Sequence, residues 1–172
     1  GVGATSALTA LLALGSLLAL GVAARILSRG ADPMRVAACG ALVGLPAFSA
    51  VIFAAPVDSP MLFRVGCMLI GFGGGLFSVG TLTAAMGMER REHVGLALGA
   101  WGAVQATAAG GSVAAGGALR DIVSSLAQQG ALGEALASPV TGYSFVYHVE
   151  MYLLFAALIA LGPLVRRHRP AA

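Results

Sequence analysis

TSALTALLALGSLLALGVAARI, Thr5 to Ile26, runs about 22 residues with one charge, Arg25, near its end. A helix crosses a bilayer with about 20 consecutive, mostly apolar residues, so this run predicts a transmembrane span. Four more apolar runs follow, at about 34–55, 62–88, 94–119 and 145–165. Between them lie the loop LSRGADPMR with Gly30 and Pro33 as breakers, the turn PVDSP, the short polar link ERREH and a long polar stretch, 120–143. Part of that stretch, near Ile122 to Leu136, has the pattern of a short interfacial helix. The reading is an all-α membrane protein, a single domain of five transmembrane helices with a periplasmic loop at 120–143.

Composition agrees. The chain is 58% hydrophobic and 10% charged, with a mean hydropathy of +0.90, whereas a soluble domain carries about 25% charged residues. Net charge is +3, but the arginines cluster mainly at the ends of apolar runs, which is an orientation signal and no sign of nucleic acid. Arg25, Arg29 and Arg35 flank the first loop, Arg90 and Arg91 lie in the third, and Arg166, Arg167 and Arg169 in the tail. Five crossings put these on one side, the cytoplasm, with the N-terminus periplasmic and the C-terminus cytoplasmic. The localisation expected is a bacterial inner membrane, cytoplasmic or intracytoplasmic. The first run has no charged leader and no clear cleavage pattern, so it does not read as a signal peptide. The absence of an initiator Met suggests a fragment or a processed product.

Glycine is abundant, at 25 residues, and in bilayers small residues let helix backbones approach. GFGGGLFSVG in the third span and GLALGAWGAVQATAAGG in the fourth are expected to pack tightly or to slide past one another. Few polar groups lie within the spans. Arg64 and Glu150 near helix ends either snorkel to the interface or form an intramembrane ion pair between the third and fifth spans. Trp101 and Gln105, four residues apart, share a face, and Gln105 serves as interhelical glue or as a ligand contact. His148 stands among Tyr143, Tyr147 and Tyr152, as an aromatic-belt residue or as an axial ligand. Cys39 and Cys67 read as small packing residues, and His93 as solvated. There is no nucleotide loop, no catalytic carboxylate pair and no Cys/His metal spacing, so neither an enzyme nor a metal site is expected.

The first loop, GVAARILSRGADPMR, with Gly21, Arg25, Arg29, Asp32 and Arg35, resembles the basic glycine-bearing cytoplasmic loop of a major facilitator half, although Arg25 stands where that motif has an acid. GMERREHVGLALGAWGAVQATAAG, GGALRD and YSFVYHVE are more specific in combination. They resemble the PucC/LhaA family, the bacteriochlorophyll-delivery branch of the major facilitator superfamily, over nearly the whole chain. The resemblance implies the C-terminal half of a twelve-helix fold lacking one helix, and a role as a light-harvesting complex assembly factor that hands bacteriochlorophyll to antenna polypeptides. The bilayer, the antenna polypeptides and the pigment are the expected partners, with no resident cofactor beyond that bound pigment. His148, Trp101, Gln105 and Tyr147 are the candidate pigment contacts. A solute transporter of the same superfamily is the alternative; it requires a polar central cavity, for which Gln105, Thr81, Thr83 and Thr107 are the available side chains.

Overall fold

The computed structural model describes residues 2–88, 93–138 and 140–167. It consists of five long α-helices: α1 (Val2–Leu27), α2 (Pro33–Ala54), α3 (Pro60–Met88), α4 (Val94–Gln128) and α5 (Thr141–Arg167), with one 3₁₀ turn at Glu134–Leu136. Four of them, α1, α2, α3 and α5, are long and apolar enough to cross a membrane, and the chain is a multi-pass membrane protein. The fourth is the longest, 35 residues or roughly 52 Å at about 1.5 Å per residue. Glycine, Gln105 and Thr107 dilute its apolar residues, and it falls short of that apolarity.

The helix starts follow local chemistry. The Asp32 carboxylate accepts the Met34 N–H at 2.9 Å and caps α2, with Pro33 in the first turn where a missing donor costs nothing. The Ser59 hydroxyl accepts the Leu62 N–H at 3.3 Å ahead of α3, which opens on Pro60. Pro46 lies inside α2 without ending it.

Helix α3 is the hub. It packs on both α1 and α2, α5 packs on α2, and α4 rests on α5 with a lighter contact to α3. Glycines set the close approaches. Gly66, Gly73 and Gly80, seven apart, turn one face of α3 to α2: a Cβ at Gly80 would lie 2.5 Å from the Ala37 nitrogen, and one at Gly73 2.7 Å from the Gly40 oxygen. Gly71 and Gly75, one turn apart, face α1, where a Cβ at Gly75 would meet that of Ala19 at 2.7 Å and one at Gly71 would collide with the Leu12 carbonyl. At this second contact the Ser16 hydroxyl lies within hydrogen-bonding distance of two carbonyls, 3.0 Å from Leu12 of its own helix and 3.1 Å from Gly71 across the contact. The buried cluster Ala19, Ala23, Val36 and Leu76 fills the space where the three helices meet.

Two expectations need correction. The glycines of the fourth span do not form a packed face: Cβ atoms at Gly95, Gly99, Gly102, Gly110, Gly111 and Gly117 would meet nothing within 4 Å, and neither would one at Gly74. Most of α4 between 95 and 118 is exposed, because little of the described chain lies against it. Second, the stretch read as a polar loop from 120 is helical to Gln128. Nothing in ALRDIVSSLAQ breaks a helix, and Val123 and Ala127 are buried. The stop comes at Gly130, whose φ of 73° ends the helix with bonds from the Gly130 N–H to the Ala127 carbonyl and from the Ala131 N–H to the Leu126 carbonyl, each 3.1 Å. The interfacial helix expected near 122–136 is thus the last turns of α4 followed by the short 3₁₀ turn.

Contacts across the helices fix their directions. Gly71 against Leu12 and Gly75 against Ala19 make α1 and α3 parallel, and Gly80 against Ala37 and Gly66 against Val51 make α2 antiparallel to them. The turn at 55–60 and the Val140–Ser144 start of α5 line a common cavity of 360 Å³, so they share one end of the bundle. Pro33 lies against Gly80, which puts the arginine-bearing first loop at the other end, beside the last turns of α3.

Candidate functional site

Polar side chains within the bundle gather where α3 meets α4. The Trp101 indole N–H donates to the Thr81 hydroxyl at 3.2 Å. One turn on, the Gln105 amide donates to the Ser78 hydroxyl at 3.2 Å. Thr81 lies within hydrogen-bonding distance of two α3 carbonyls, 2.9 Å from Phe77 and 3.1 Å from Ser78. The i, i+4 pair on α4 thus meets the i, i+3 pair on α3 in antiparallel register. A polar group in hydrocarbon needs such a partner, because no water is present to satisfy it. These two rungs hold α4 to a helix it otherwise touches lightly.

The lower rung opens on a cavity of 290 Å³ midway along the spans. Gly40 and Gly44 of α2 and Gly73 and Gly74 of α3 form its walls, Phe48 and Phe77 its aromatic lining, and Leu154 and Ala157 of α5 its far side. Ser78 and Gln105 are its polar groups, and they are bonded to each other. The volume is at the lower end of small-molecule sites, about 300–1,000 Å³. It admits a compact apolar group and does not enclose a drug-sized ligand.

His148 and Tyr147 lie elsewhere. The Tyr147 ring tilts against Phe48, with centroids 6.2 Å apart, on the side of α5 that meets α2. His148 is exposed on the outward side of α5 with Phe145, Tyr152 and Phe155; these four recur at the three- and four-residue spacing of one helix face. Its Nδ1 lies 2.7 Å from the Ser144 carbonyl. A carbonyl only accepts, so Nδ1 carries the proton, and in the neutral ring the Nε2 lone pair is left free. Of the candidate contacts the structure joins Trp101 and Gln105, through α3, and separates them from His148. Sequence reading missed Ser78, the acceptor for Gln105; its place one helical turn from Thr81 was the available signal.

The ion pair between Arg64 and Glu150 is not formed. Among the described residues the ion pairs are Arg35–Asp32 and Arg120–Asp121. The reason is helix order: α5 packs on α2 and α4, and α3 is not among its principal neighbours. Arg64 is exposed instead. In the first-loop motif Asp32 has a structural task, with its second carboxylate oxygen 3.9 Å from the Arg35 Nε. Gly30 takes the turn at a φ of 84°, where a side chain is disfavoured. Gly21 is open, and Arg25 and Arg29 are exposed, free to meet anionic lipid headgroups. Glu89 to Glu92, which include Arg90 and Arg91, lie outside the described residues, as does His168. His93 is exposed.

The family model described as PUCC protein matches residues 1–169. The chain belongs to the PUCC family. Its PUCC relatives include Protein PucC of Cereibacter sphaeroides, 46% identical over 94% of this chain and 34% of the relative. Protein PucC of Rhodovulum sulfidophilum is 56% identical over 71% of this chain and 27% of the relative. A Rhodobacter capsulatus protein described as an uncharacterized protein in the puhA-bchM intergenic region is 52% identical over 96% of this chain and 34% of its own length. The chain therefore spans about a third of the length of the curated PUCC relatives it matches. No solved structure matches it.

Proposed function

We propose that this chain is the C-terminal part of a light-harvesting complex assembly factor that delivers bacteriochlorophyll to antenna polypeptides, a non-enzymatic role in a bacterial inner membrane. The observation that carries the reading is His148: its Nδ1 is engaged by the Ser144 carbonyl, which leaves Nε2 for a ligand, and it is exposed on a membrane helix and flanked by Phe145, Tyr152 and Phe155. Bacteriochlorophyll magnesium takes an axial nitrogen ligand, and aromatic side chains pack on the flat macrocycle. A pigment dissolved in the bilayer reaches such a face sideways, without passing through a closed cavity. The open Gly/Ala surface of α4 suits close approach by a nascent antenna helix.

A second reading, a solute transporter of the major facilitator superfamily, draws support from the mid-span cavity with its Gln105–Ser78 pair. A pull-down of the full-length protein from phototrophically grown cells separates the two. Delivery predicts that antenna polypeptides and bacteriochlorophyll both co-purify. Absence of both, together with substrate-driven uptake in vesicles, overturns delivery in favour of transport.

A further inference from the structure

The groove between α4 and α5, at the end of the bundle where α5 begins, is separate from the seam at Trp101 and from the His148 face. It holds 240 Å³; Ser112, Gly116, Gly117 and Arg120 form the α4 wall, and Tyr147 and Glu150 lie opposite. Gly117 leaves bare backbone there: a Cβ on it would meet nothing within 4 Å.

Glu150 is half-buried, and among the described residues neither a hydrogen bond nor an ion pair reaches its carboxylate. An ionised carboxylate at membrane depth costs several kcal/mol unless it is paired, and a charged side chain inside a membrane marks a site by default. Among the described residues no cation supplies the partner. Arg120, in the same groove, is held through its Nε by Asp121 at 3.0 Å and through a terminal nitrogen by the Tyr143 hydroxyl at 3.0 Å. It sits eight residues, about 12 Å of helix, from Ser112 at the deeper end. Arg64 belongs to α3, which is not a principal neighbour of α5. The Ser112 hydroxyl gives its proton to the Ala109 carbonyl at 3.0 Å and has only lone pairs left to offer. The deep end therefore presents acceptors, beside a Tyr147 ring able to face a cation. It is short of one positively charged donor.

We propose that this groove binds a primary ammonium group borne on an apolar chain, seated between Glu150 and Ser112. The ammonium supplies three donors to the two acceptors, and the apolar chain follows the glycine wall toward lipid. The volume suits a small head and the first carbons of its chain. A free alkylamine and an ethanolamine lipid headgroup share this chemistry. The site is independent of pigment delivery and stands or falls separately from it.

The test uses full-length protein in phosphatidylcholine nanodiscs and a diazirine-bearing dodecylamine as photolabel, with labelled peptides mapped by mass spectrometry. Label is expected on the segments around 112–120 and 146–150. It is displaced by unlabelled dodecylamine and not by dodecanol. Glu150→Gln is expected to lower labelling about tenfold, the worth of one charge-assisted hydrogen bond, and Glu150→Asp to restore most of it. Adding phosphatidylethanolamine suppresses the label if a lipid headgroup is the natural occupant; unchanged labelling assigns the site to a free amine. Equal labelling of Glu150→Gln and wild type overturns the proposal. So does competition by dodecanol as strong as by the amine, a comparison made on wild-type protein and thus independent of how the variant folds.

Discussion

Gly71→Leu, or Gly40→Leu, in the full-length protein is expected to abolish a monodisperse, heat-resistant detergent-solubilised species, whereas Gly99→Leu behaves like wild type. At Gly71 even a Cβ would collide with the Leu12 carbonyl, and at Gly40 it would lie 2.5 Å from the Gly73 oxygen and 2.6 Å from the Phe77 nitrogen. Both obstacles are helix backbone, which cannot rotate aside as a side chain does. The helices must separate, and each pair of atoms pulled apart forfeits about 0.1–0.2 kcal/mol. Overpacking costs about 1–3 kcal/mol where side chains absorb it; here the cost reaches or passes the top of that range. The approach of the Ser16 hydroxyl to the Gly71 carbonyl is lost with the contact, and the hydroxyl keeps the Leu12 carbonyl of its own helix. A leucine at Gly99 meets open space. Size-exclusion profiles and thermal unfolding in one detergent make the comparison, and equal stability of Gly71→Leu and Gly99→Leu would contradict the α1–α3 contact.

A reporter fused after Gln128 is expected to score periplasmic, and fusions after Glu89 and after Arg169 cytoplasmic, an all-or-none difference. The arginine-rich loops set the sign through the positive-inside rule. Helix α4 decides the result at Gln128, because it is the least apolar candidate. Its pairing, Trp101 with Thr81 and Gln105 with Ser78, runs antiparallel to α3. The contact between Arg120 and the Tyr143 hydroxyl puts its far end beside the start of α5. A helix so placed between two spans is expected to cross with them despite its composition. A cytoplasmic signal at Gln128 would sink the five-span topology.

Much of this was legible in the sequence, for physical reasons that also mark where legibility ends. Apolar runs of about 20 residues have one stable disposition in a bilayer, so the four strongly apolar helices begin and end within a few residues of their expected limits. The end of α4 was not legible from polarity, since Arg120 and Asp121 change the solvent of a helix without ending it; Gly130 does that. Glycine density misled in the fourth span. Whether a glycine is a contact depends on what lies opposite, and the seven-residue spacing of Gly66, Gly73 and Gly80 was the better signal. The shared face of Trp101 and Gln105 was readable from their spacing, and only the partners on α3 required the structure. The pairing of Arg64 with Glu150 failed because it presumed that α3 and α5 are neighbours, and helix order is a tertiary fact. The state of His148 was half legible: Ser144 stands four residues before it, where a helix places a carbonyl in reach of the ring.

Pigment content of the purified full-length protein, wild type against His148→Phe, bears most directly on delivery of bacteriochlorophyll. Phenylalanine keeps the aromatic surface beside Phe145, Tyr152 and Phe155 and removes the Nε2 lone pair together with the Nδ1 bond to the Ser144 carbonyl, so the comparison separates ligation by the ring nitrogen from packing. The expected result is a several-fold fall in pigment per protein and a shifted absorption band for whatever pigment remains. An unchanged pigment load with an unchanged spectrum would contradict ligation by His148.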